Sequence, residues 1–186
     1  MSKEIDDILS DIDKHNPYAS FLNESALSNV DGWIDTGSMV LNGIISGSLF
    51  GGIPKNRMTL LAGPSMTGKS YILLKIIANA QKEGLIPVIF DSENAIDKDG
   101  AAALGVDVNK VKYIPTFSIE DCRNAIFRFL NSVKEKGQEG KFIIAIDSLG
   151  NMESQLQINR MTKDNVSADM GSRAKAMKSL LRTCTQ

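Results

Sequence analysis

The chain has 186 residues and contains no apolar run near the roughly 20 residues that cross a bilayer. Its longest uncharged apolar stretches, such as Phe142–Ile146, are strand-sized. Cysteine is scarce: Cys122 and Cys184 stand alone, in no metal-type spacing. That excludes a disulfide scaffold and a thiolate metal cluster, and both read as ordinary thiols of a reducing compartment. The single histidine, His15, sits in a polar leader, so a histidine-built centre is excluded too. No charge sign dominates, with 21 Lys+Arg against 22 Asp+Glu. Nucleic-acid binding would therefore need a local basic patch. The opening Met1-Ser2-Lys3-Glu4-Ile5-Asp6-Asp7 is too acidic and polar for a signal peptide, and cytoplasmic residence is expected. No internal repeat or low-complexity tract occurs.

What remains is a globular composition, 42% hydrophobic and 23% charged, which excludes fibrous and wholly disordered chains. Residues 1–30 read as an N-terminal arm, disordered or docking on another subunit, with an apolar cluster at Tyr18, Phe21 and Leu22. Residues 31–186 read as the core. Glycines between 32 and 52 suggest turns leading into it. Strand and helix patterns then alternate, which argues for a mostly parallel α/β sheet with helices on both faces. Strands are expected at 57–62, 87–91, 111–115 and 141–147, the last apolar throughout and so central. Helices are expected at 70–82, ended by Gly84, at 121–136 with Ser118 as candidate N-cap, and at 169–185. The segment 151–168 reads as irregular.

The chemistry starts at Gly63-Pro64-Ser65-Met66-Thr67-Gly68-Lys69-Ser70, a G-x-x-x-x-G-K-[ST] phosphate loop between a strand and a helix pattern. Its glycines let successive N–H groups turn towards an anion, and the helix aims its positive end at the same place. Lys69 supplies a point charge for the terminal phosphates, and the Ser70 hydroxyl suits Mg²⁺. A carboxylate is needed near that metal. Phe142-Ile143-Ile144-Ala145-Ile146-Asp147, an apolar strand ending in an acid, has the Walker B form. A hydrolase also needs a group that orients water, and Asp91 and Glu93 both stand at the end of the 87–91 strand. Position alone leaves both open, with the longer reach of Glu93 in its favour.

Together these segments resemble the RecA family of recombinases, in order and across residues 18–186. Asp35-Thr36-Gly37-Ser38 resembles the family's entry to the core. Asp91-Ser92-Glu93-Asn94-Ala95-Ile96-Asp97, followed by Leu104-Gly105-Val106-Asp107, resembles the segment bearing its glutamate. Ile146-Asp147-Ser148-Leu149-Gly150-Asn151 resembles its Walker B segment. Asp169-Met170-Gly171-Ser172-Arg173-Ala174-Lys175-Ala176-Met177-Lys178-Ser179-Leu180 resembles the stretch leaving its first DNA loop. The wording there and at Tyr18–Glu24 is similar to the tailed-phage, UvsX-type members.

The resemblance implies a RecA-like P-loop NTPase with ATP and Mg²⁺ as cofactors. The loop from Gly63 to Ser70, with Tyr71 and Asp97, would hold the nucleotide, Asp97 near the adenine. Ser70 and Asp147 would serve the metal, Asp147 through water. Lys69 and Glu93 would be catalytic. Residues from about 153 to 172 would form a DNA loop, with Met170, Gly171, Arg173, Lys175, Lys178 and Arg182 on DNA. In the last helix, Met170, Ala174, Met177, Leu181 and Cys184 form an apolar seam, while Lys175, Lys178 and Arg182 share one face. The implied function is an ATP-dependent recombinase. It would form a filament on single-stranded DNA, pair it with homologous duplex, and hydrolyse ATP at subunit interfaces under DNA stimulation. Single-strand-binding and loader proteins are implied partners; a membrane is not.

Two departures stand out. The family's adenine-stacking aromatic falls near Gly100, and no aromatic occurs between Phe90 and Tyr113. Nucleotide binding should be weaker or less base-selective. The chain also stops before the family's last core strands, so the core is expected to be C-terminally incomplete. The alternatives are a nucleotide-binding regulator of full-length filaments without turnover, a helicase-type or clock-type RecA-like ATPase, and a small-molecule kinase. The kinase would need an Arg-rich lid, and 153–168 offers only Arg160.

Overall fold

The computed structural model describes residues 3–16, 18–25, 29–161 (Met161 by its backbone) and 171–185. Met170, assigned to DNA in the sequence reading, lies outside the described residues, as do residues 162–169 of the 153–172 loop. The chain divides into two compact units, residues 1–32 and 33–186.

The first unit holds α1 (Lys3–His15). Ile5, Ile8, Leu9 and Ile12 recur at i, i+3, i+4, i+7, which makes one apolar stripe, and none of the helix is buried.

The second unit opens with β1 (Trp33–Ile34), α2 (Met39–Ser46) and β2 (Ile53–Pro54), the two short strands pairing antiparallel. The glycine-rich stretch therefore contains a helix where turns were expected. Ser38 caps it by accepting from Leu41 N, and Gly47 ends it in the left-handed region. Buried Asn42 ties the unit together. Its Nδ2 donates to Asp35 Oδ1 and Leu49 O, and its Oδ1 accepts from Thr36 N and Oγ1.

The core follows as α3 (Lys69–Lys82), β3 (Ile86–Asp91), α4 (Lys98–Ala103), β4 (Lys112–Pro115), α5 (Ile119–Glu135), β5 (Phe142–Asp147), α6 (Gln155–Met161) and α7 (Ser172–Cys184). The sheet is parallel, in the order β4-β3-β5, with Ile86 opposite Phe142 and Asp91 opposite Asp147. Side chains alternate between its faces, as a pleat requires. Val88 and Phe90 pack against α5 and α7 through Ile119, Cys122, Ile126, Ala176 and Leu180. Ile89 and Ala145 pack against Leu74, Ile77 and Ala78 of α3 and Ala101 of α4. The result is three layers, helix on sheet on helix. Burial pushes the Cys122 thiol up to about 12, in keeping with an inert core residue.

Several expectations are corrected here. The central strand is β3, buried at five of its six positions, while β5 pairs with β3 alone among the described residues. The segment 57–62, expected as the first strand, lies outside both sheets, with Met58 and Leu60 50% and 73% exposed. Apolar content marks what can extend, but a ladder needs a neighbour in register. Residues 155–161 form α6 instead of irregular chain, its first amide received by Glu120 Oε2. The buried face of α7 is Ala176, Leu180 and Thr183; of the predicted seam, Met177 and Cys184 pack partly buried against the same core. Ala174, Met177 and Leu181 line an open groove with Met58, beside Lys178 and Arg182. Apolar residues stand on both sides of the Lys175–Lys178 face, and packing on α5 selects which is buried.

Candidate functional site

The phosphate loop and the acids meet at the C-terminal end of the sheet, where ligands bind in open α/β folds. The loop curls as its residue types demand. Met66 and Gly68 take positive φ of 63° and 88°, and Met66 projects fully into solvent. Thr67 Oγ1 donates to Pro64 O and closes the turn at 2.8 Å. Gly68 then starts α3, placing the free amides of its first turn at the loop. Lys69 Nζ folds back over the loop and donates to Gly63 O and Pro64 O at 3.0 and 2.8 Å. Ser65 and Tyr71 are exposed beside it.

Ser70 Oγ donates to Asp147 Oδ2 at 2.6 Å, across 77 residues of sequence. This joins the loop to the tip of β5. Two hard oxygen donors at one point suit Mg²⁺, which commonly binds through one or two protein oxygens plus phosphate and water. The described residues contain no group of three or more His, Cys, Asp or Glu that could cage a metal. That donor set fits an ion shared with a phosphate better than an all-protein site.

The 91–97 turn separates the two acids that sequence alone left open. Asp91 is buried, and its carboxylate is filled by four donors. Glu93 N and Asn94 N reach Oδ1, each at 2.8 Å; Ile96 N and the Tyr113 hydroxyl reach Oδ2 at 3.2 and 2.9 Å. No lone pair is left for water or metal. Glu93 is exposed, and Ser148 Oγ donates to its Oε1 at 2.8 Å. Ser92 knits the two strand ends: its Oγ donates to Ser148 O, its amide to Asp147 O, and Ser148 N donates back to it. Glu93, Asp147 and Ser70 thus share one edge. Asp97 caps α4 by accepting from Gly100 N at 2.6 Å.

The sequence reading missed Tyr113, Ser92 and Ser148. Tyr113 had a signal in strand register: it stands opposite Ile89, two places before the Asp91–Pro115 pair, on the same pleat face. At the start of α7, Gly171 has φ 144°, and Arg173 donates to Gly150 O through its guanidinium. Ser154 Oγ and Ser172 Oγ, 2.9 Å apart, link the ends of α6 and α7. Lys175, Lys178 and Arg182 are exposed on one side of α7.

With this geometry in hand, comparison with known proteins decides the family. Residues 3–186 match the RecA N-terminal domain. The chain belongs to the RecA family. Its RecA-like α/β fold is the one described above. Protein RecA of Chlorobium chlorochromatii is 32% identical over 152 residues, 82% of this chain and 40% of that protein. The recombination and repair protein of Enterobacteria phage T4 is 31% identical over 166 residues, 88% of this chain and 41% of the relative. Protein RecA of Mycoplasma mobile is 28% identical over all 186 residues, 53% of its own length. The chain spans about two-fifths to half the length of these RecA relatives. No helix among the described residues is long and apolar enough to cross a membrane.

Proposed function

We propose that this chain carries the nucleotide-hydrolysing core of a DNA recombinase. It would bind ATP on the phosphate loop and assemble with other copies on single-stranded DNA for pairing with homologous duplex. The observation that carries the reading is the Ser70–Asp147 contact, with Glu93 on the neighbouring strand end. Names of the relatives, RecA and recombination and repair protein, support the choice of DNA as partner.

Each residue has a task that its position supports. The amides at the start of α3 receive phosphate oxygens. Lys69 exchanges the carbonyls of Gly63 and Pro64 for the terminal phosphates, trading two neutral acceptors for charged ones. Ser70, and Asp147 through water, would hold Mg²⁺, which would supply charge neutralisation for the phosphates. Glu93, steadied by Ser148, orients the attacking water and accepts its proton at a carboxylate oxygen. Lys175, Lys178 and Arg182 meet the DNA backbone. A cytoplasmic setting, in a bacterium or a phage-infected cell, accords with these substrates.

The test is Mg²⁺-dependent ATP turnover by the purified chain, with and without single-stranded DNA, beside Lys69→Ala. Turnover that rises with DNA and vanishes in the variant is expected. Turnover unchanged in Lys69→Ala would refute the assignment of the loop.

A further inference from the structure

We propose that Tyr113 is a positioning residue for Glu93, acting through Asp91; the proposal rests on the ATPase reading above. The turn that carries Glu93 is organised around one buried carboxylate. Three of the four donors to Asp91 are amides of the turn itself, at Glu93, Asn94 and Ile96. They fix the turn's shape and tie it to the end of β3, while Ser92 ties it to the end of β5. The fourth donor, the Tyr113 hydroxyl, comes from β4 and spans 22 residues of sequence. It is the side-chain tie from the neighbouring strand to that carboxylate. The same hydroxyl lies 3.4 Å from Asn94 Oδ1, on the residue after Glu93. Asn94 has φ +53°, a conformation asparagine tolerates better than most residues, and there the chain turns away from Glu93.

Glu93 is therefore held at its carboxylate and at its backbone, the latter also beside the Ser92 bonds to Asp147 and Ser148. Ser148 Oγ holds its carboxylate at 2.8 Å, and Asp91 with Tyr113 holds the backbone from which that carboxylate extends. Burial and the Asp91 hydrogen bond raise the phenol above its usual range, so the hydroxyl stays a donor. Tyr113 itself is 39% exposed, so removing its oxygen leaves β4 packed as before. A water-orienting carboxylate tolerates little displacement, because an error of about 1 Å can cost about a hundredfold in rate.

The experiment replaces Tyr113 by Phe in the full chain and, separately, in a Glu93→Gln background. ATP turnover should fall about 10- to 30-fold in the single variant with KM for ATP unchanged, consistent with a lost charge-assisted hydrogen bond. In the Glu93→Gln background the same change should cost nothing further, because the group it positions is gone. A purely structural tyrosine would lower turnover equally in both backgrounds, and that result overturns the proposal. Amide hydrogen exchange on the nucleotide-free chain supplies an independent readout. Exchange at Glu93, Asn94 and Ile96 should quicken in Tyr113→Phe, while the β3–β5 ladder keeps its protection. Unchanged exchange at those three amides also overturns it. Should the parent chain show no turnover, the ATPase reading fails for this chain, and the exchange experiment still decides whether Tyr113 locks the turn.

Discussion

Replacing Asp91 by Asn tests whether the 91–96 turn is built around a carboxylate. The substitution keeps shape and volume but removes the charge and one acceptor. In the native chain all four contacts to Asp91 come from donors. An amide can satisfy one pair only. With its oxygen towards Glu93 N and Asn94 N, its NH₂ faces Ile96 N and the tyrosine. The Tyr113 hydroxyl can rotate to accept, but the Ile96 amide cannot. The variant thus loses one bond outright and the charge assistance of the others. Hydrogen bonds to charged groups contribute about 1.5–3 kcal/mol each, and the Ile96 contact, at 3.2 Å, is the long one. A net loss of about 2–4 kcal/mol follows, a large share of the roughly 5–15 kcal/mol typical of a domain. Urea unfolding measures it directly: the midpoint should fall by about 1–2 M with little change in slope. A loss below about 0.5 kcal/mol would refute the reasoning. It would mean that water reaches these donors and that the turn does not close on Asp91.

Two further outcomes follow from the placement of α7. Leu180→Ala should cost about 2–5 kcal/mol, as a fully buried leucine does, while Leu181→Ala on the groove face should cost under about 1 kcal/mol; thermal or urea unfolding of the pair distinguishes this register from the predicted seam. Neutralising Lys175, Lys178 or Arg182 should lower the salt slope of single-stranded DNA binding by about one each, without altering sequence preference. Slopes unchanged in all three would remove this face from the interface.

The parts legible in sequence were those set by local pattern. Apolar runs ending in an acid marked β3 and β5, helical patterns followed by Gly84 and Gly137 marked α3 and α5, and Ser118 announced the start of α5, where it accepts from Asp121 N. The phosphate loop was legible because its residue types and its context agree. What escaped was set by partners distant in sequence. The segment 57–62 has the composition of a strand but lies outside both sheets. The α2 helix was hidden by glycines at 37, 43 and 47, two of which lie outside it as flanking turns with positive φ. The face of α7 depended on where α5 stood. Asp91 and Glu93 looked alike because both are acids at a strand end. Only the turn between them, pinned from β4, gives one a structural task and leaves the other exposed.

The central claim is that Glu93 works on a nucleotide held by the phosphate loop. Single-turnover hydrolysis of pre-bound ATP by the parent chain and Glu93→Gln, with Mg²⁺ and single-stranded DNA, tests it most directly. The account predicts equal ATP binding and a loss in hydrolysis of about a hundredfold or more in the variant. Equal hydrolysis by both, at equal occupancy, would contradict it.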